Sequence, residues 1–145
     1  MTNQTSGETF VIERMIHAPR ELVWEALLEV LSAAGYAKEG DPPPHGRGSI
    51  IEFRIGDYDL VEETISFEPP WRRRYALVAG APLASYRATI AIRDDGARCF
   101  LEWSYVANPG DHAGAKAFLD RAQQALKAAA DYIASTAEVR ASSSD

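Results

Sequence analysis

The side chains that could do chemistry in this sequence are few, and strand parity gathers them. Between Tyr58 and Phe67, Val61, Ile65 and Phe67 stand at alternate positions, so if they face inward Glu63 faces inward with them. By the same parity Tyr75 and Leu77 bring Arg73 to the inner face of the next strand. Leu101 and Trp103 bring Cys99 and Tyr105, and Tyr86 sides with Ile90 and Ile92. A carboxylate and a guanidinium on an apolar face can orient a polar group. If burial raises the carboxylate pKa, they can also move a proton. Glu63 and Arg73 are therefore the candidate catalytic residues, although one glutamate does not establish a reaction. The plainer alternative is that the aromatics are core, while Glu63 and Arg73 pair with each other or reach solvent at a rim. A one-residue register slip would turn Glu63 outward.

Other chemistries lack their residues. His17, His45 and His112 fall at the ends of predicted elements without metal-ligand spacing, so no metal and no cofactor is expected. Cys99 is the sole cysteine, which excludes an internal disulfide; a buried, inert thiol is its simplest reading. No Gly-x-Ser-x-Gly, phosphate loop or dinucleotide fingerprint occurs, and Asp94-Asp95-Gly96 is a turn signal. A net charge of −6 argues against nucleic acid as a partner. The three arginines Arg72 to Arg74 would alternate between strand faces and form no basic patch.

The elements that must position these groups follow from periodicity. Ala115, Phe118, Leu119, Ala122, Ala125, Leu126, Ala129 and Ile133 form one stripe of a helix predicted over Asp111–Ala137, with Asp111 as its cap. The alanines in that stripe signify either close helix–sheet contact or a space beneath the helix. A strand is predicted over Phe10–Ile16 and a helix over Arg20–Leu31, started by Pro19 and stopped by Gly35. Charges, prolines and glycines make Lys38–Gly48 a loop. Five strands then follow: Ser49–Ile55, Tyr58–Phe67, Trp71–Val78, Ser85–Ile92 and Arg98–Val106. The economical architecture is α+β, an antiparallel meander whose concave face is closed by the long helix. At 145 residues, with 46% hydrophobic and 25% charged residues, one domain over 1–145 is expected. Flexible ends are expected at 1–8 and 138–145. The polar start and the lack of any membrane span make the cytoplasm the expected location.

Ile16-His17-Ala18-Pro19-Arg20-Glu21-Leu22-Val23-Trp24 resembles the opening of the START-related superfamily, called SRPBCC or Bet v 1-like. Glu63-Thr64-Ile65, the Phe67-Glu68-Pro69-Pro70 turn with Arg73 and Tyr75, and the hairpin from Gly96 to Trp103 are similar to its later motifs. Ala97 and Cys99 depart from the usual polar neighbours. The resemblance implies a helix-grip fold with a cavity between sheet and helix, in the polyketide cyclase/dehydrase-like or lipid-transport branch. Such a cavity would be lined by Glu63, Arg73, Tyr75, Tyr86, Trp103, Tyr105, Phe118 and Leu126 and would take a small hydrophobic or aromatic molecule. The alternatives are a cyclase or dehydratase using the same cavity, and a chaperone-interacting module of the heat-shock-ATPase-activator type. Self-association into a homodimer stays open.

Overall fold

Alternation of apolar and polar residues gives way to helical spacing after residue 108, and the architecture turns on that change. The computed structural model describes residues 7–143. The order is β1 (Glu8–Ile16), α1 (Arg20–Ala34), β2 (Tyr36–Lys38), β3 (Ile50–Ile55), β4 (Tyr58–Glu68), β5 (Arg72–Ala79), β6 (Ser85–Asp95), β7 (Arg98–Asn108) and α2 (Ala115–Ser142). One sheet of seven strands runs β1-β7-β6-β5-β4-β3-β2, antiparallel throughout. From β2 to β7 it is a meander, and β1 adds itself beside β7. The curved sheet and the long helix packed on it make the helix-grip α+β fold expected from the sequence.

Parity holds on most strands. Ile12 and Ile16 of β1, Arg73 and Tyr75 of β5, Tyr86, Ala88, Ile90 and Ile92 of β6, and Leu101, Trp103 and Tyr105 of β7 are all buried. It fails on β4. There Leu60, Glu62 and Thr64 are buried and Ile65 is exposed. The pairing of β4 with β5 shifts between Val61 and Glu62 and again between Thr64 and Ser66. An extra residue at such a bulge reverses which side chains face inward. Phe67, beyond the second shift, again packs inward on Trp24 of α1, ring centroids 5.5 Å apart.

The helices also differ in detail from their predicted extents. Asp111 does not cap α2. Gly110 takes a left-handed turn (φ 60°), and α2 starts after Gly114 with Phe118 N–H on the Gly114 carbonyl. At its other end α2 runs to Ser142 rather than fraying from residue 138. Glu138 accepts the backbone N–H of His17 at 2.9 Å, and Arg140 grips both oxygens of Glu29 on α1 at 2.6 and 2.8 Å. Arg14 of β1 adds an ion pair to Asp131 at 2.8 Å. The flexible stretches expected at residues 1–6 and 144–145 lie outside the described residues. The loop predicted from Lys38 follows the short edge strand β2, which the sequence did not announce. No helix among the described residues is long and apolar enough to cross a membrane.

Candidate functional site

Under the middle of α2 the two layers do not meet. A cavity of about 240 Å³ remains, roofed by Ala122, Ala125, Leu126 and Ala129 of α2 and bounded by Val30, Leu31 and Ala34 of α1. Ile51, Phe53, Arg54 and Ile55 of β3, Glu62, Arg73, Tyr75, Leu77, Tyr86 and Trp103 complete its wall. Of the lining residues, Ala34 at the end of α1 and Arg54 on β3 are exposed. Arg54 is held there by Asp59 at 2.8 Å.

Arg73 is the polar centre. Its side chain is 1% exposed, and Nη2 donates to Glu62 Oε2 at 2.7 Å and to Thr64 Oγ1 at 2.8 Å. Its guanidinium carbon lies 4.7 Å from the centre of the Tyr75 ring. Nε is buried without any partner. Thr64 Oγ1 stands 2.7 Å from Ser49 Oγ, which donates to the His45 carbonyl. The His45 ring is hydrogen-bonded through Nδ1 to the Tyr36 hydroxyl and stacks on Phe67. A continuous polar chain therefore runs from the cavity into the 39–49 loop. On the other side of Arg73, Trp103 Nε1 donates to the Tyr75 hydroxyl at 3.0 Å, and Tyr86 lies against Tyr75.

Burial dominates the electrostatics. It pushes the Glu62 carboxyl above its usual value, outweighing the pull of Arg73 in the other direction. The Tyr75 and Tyr86 hydroxyls are raised, again first by burial, and stay protonated. His45 is lowered by burial and then by Arg73, so it is neutral near pH 7. Cys99 is pushed up to about 11 by burial, with Asp94 adding to it, which makes it a poor nucleophile. Among the described residues no three His, Cys, Asp or Glu side chains converge as a metal site would require.

Of the residues expected at the site, Arg73, Tyr75, Tyr86, Trp103 and Leu126 line the cavity. Glu63 does not: the bulged strand turns it to the other face, and its neighbour Glu62 holds Arg73. Tyr105 and Phe118 belong to the core instead. Tyr105 packs between Phe10 and Tyr86 and receives a hydrogen bond from Gln123, while Phe118, fully buried, meets Tyr58 edge-on at 5.0 Å. Sequence reasoning missed Glu62, Thr64 and the contribution of α1. Leu60-Glu62-Thr64 carried the signal, but the more apolar set of Val61, Ile65 and Phe67 outweighed it.

No curated protein matches the chain in sequence. Its fold is similar to that of Ara h 8.0201 (13% identity, TM-score 0.68, covering 89% of this chain and 96% of that one). It is also similar to XoxI from Bacillus cereus (15%, 0.66, 89% and 94%) and to the Aha1 dimer from Colwellia psychrerythraea (12%, 0.68, 91% and 97%). At these identities the likeness is one of fold alone. Residues 8–138 match the profile of a family described as polyketide cyclase / dehydrase and lipid transport, and the chain belongs to that family.

Proposed function

We propose that this protein binds a small hydrophobic or aromatic molecule in the cavity between the sheet and α2. The observation that carries the reading is the cavity itself. Alanines of α2 leave it unfilled, the rings of Tyr75, Tyr86 and Trp103 wall it, and the Glu62–Arg73 pair supplies its polar end. Apolar walls with a few convergent polar groups are what small-molecule sites have in common. Native mass spectrometry of protein purified from its own host tests the reading by the mass of a retained small molecule. Titration of Trp103 fluorescence with flat aromatic and fatty-acid probes tests it in vitro, with Trp103→Phe as the control for the signal. Absence of a retained mass together with absence of any probe response sinks it.

One observation favours a second reading, a cyclase or dehydratase. Glu62 is a buried carboxylate with a raised pKa, touching an arginine at a cavity wall. That combination suits a group that takes a proton from one carbon or oxygen of a bound chain while the cation steadies the charge that develops. Incubation with poly-β-carbonyl model compounds, comparing wild type with Glu62→Gln, tests this. Equal product formation with both proteins removes Glu62 from any such chemistry.

A further inference from the structure

Building on the binding reading, we propose that Glu62 sets the class of ligand. By neutralising Arg73 in advance, it makes the polar end of the cavity a site for a neutral carbonyl on a one- or two-ring aromatic and closes it to carboxylates.

Three observations lead there. The first is a surplus of donors. A guanidinium carries five N–H bonds, yet both hydrogen bonds of Arg73 come from Nη2, which leaves Nη1 unused; Nε also lacks an acceptor but is sealed from the cavity. An oxygen acceptor is what this end of the cavity lacks. The second is charge. Above the raised pKa of Glu62, it and Arg73 form a net-neutral pair at 2.7 Å, with side chains 8% and 1% exposed. In that state a ligand carboxylate beside them would be a third buried charge without a counterion, facing a Glu62 carboxylate whose Oε1 makes no hydrogen bond to hold it away. Arg54 does not relieve this, since it is exposed and is itself paired to Asp59. A ketone oxygen takes the free N–H of Arg73 and brings no charge. The third is size. A space of about 240 Å³ holds about eight waters at their liquid share of roughly 30 Å³ each. That suits a flat body of one or two rings between the aromatic walls, and it is smaller than the pockets that take drug-sized ligands.

The test is calorimetric titration near pH 8 with naphthalene, 2-acetylnaphthalene and 2-naphthoate, which share one ring system and differ in head group. Wild type should bind the ketone most tightly and the carboxylate weaker than the ketone by about tenfold or more. In Glu62→Gln the freed charge of Arg73 should reverse that order. Naphthoate binding to wild type as tightly as the ketone overturns the proposal and leaves the binding reading intact. So does a folded Glu62→Gln variant that gains nothing for naphthoate. If none of the three binds, the binding reading falls and takes this one with it. Should Glu62→Gln fail to fold, the wild-type ratio of ketone to carboxylate decides alone.

Discussion

Two sets of alanines on α2 have opposite consequences. Ala130 and Ala137, in the half that meets α1 and β1, are fully buried in contact with their neighbours. Ala125 and Ala129 face open space instead, although Ala129 directly precedes Ala130 and differs from it only by about 100° around the helix. Alanine lets a backbone come close, but only if something approaches from the other side. Toward the end of α2, α1 and β1 do so, fastened by Arg14–Asp131 and Arg140–Glu29. In the middle the sheet curves away, and its aromatics lie along the far wall. The composition of a stripe therefore does not decide between contact and cavity; the opposing surface does.

The largest expected effect comes from a residue firmly on the packed side. Phe118→Ala should cost about 3–5 kcal/mol in chemical denaturation, because Phe118 is fully buried against Tyr58 and its loss leaves a void. A loss below about 1 kcal/mol would move Phe118 to the cavity side, contrary to its burial. Enlarging the alanines probes the contrast directly. Ala130→Leu should destabilise by about 1–3 kcal/mol through overpacking. Ala125→Leu has space to enter and should cost less than about 1 kcal/mol while abolishing naphthalene binding. Equal costs for the two would erase the distinction.

A gentler perturbation is pH. The pKa of Glu62 is raised in the folded protein, so between its unfolded value near 4.5 and its folded one the native state holds the extra proton. That contribution to stability is fully present below 4.5 and is lost as the pH rises through the folded value. His45 acts in the opposite sense. Its folded pKa is lowered, so acidification below 6.5 protonates the unfolded imidazole first and costs stability. Urea midpoints of Glu62→Gln should therefore lose the decline on raising the pH while keeping the acid-side loss, and a profile parallel to wild type would contradict this. The smallest effect belongs to Lys116→Ala. It removes an exposed pair with Asp120 and should change stability by no more than about 0.5 kcal/mol.

Much of this was legible beforehand, and the failures are physical rather than random. Parity placed Arg73, Tyr75, Tyr86 and Trp103 correctly because β5, β6 and β7 keep an unbroken register where those residues pair. Parity points to Glu63 rather than Glu62 because nothing in the composition of β4 announces its shifts, and a bulge inverts every inference made across it. Strand β2 has three residues and an irregular ladder, too short for any period to show. Gly110 displaced the start of α2 by a backbone turn that the capping signal at Asp111 could not reveal. The space under α2 was foreseen only through the family resemblance, since alanines fit close packing equally well.

The fastening of α2 also bears on how the chain reaches this state. Its ties to Arg14, His17 and Glu29 span 117, 121 and 111 residues, nearly the whole described sequence. β1 precedes the other described elements, yet its strand partner among them is β7, the last strand, and it also packs on α2, which follows that strand. Its partners therefore emerge after it, and its buried residues Ile12 and Ile16 stay uncovered until they do. Closing loops of that length is entropically costly before any contact repays it, and such topologies fold in milliseconds to seconds rather than microseconds. The first of the described strands is the last to be satisfied.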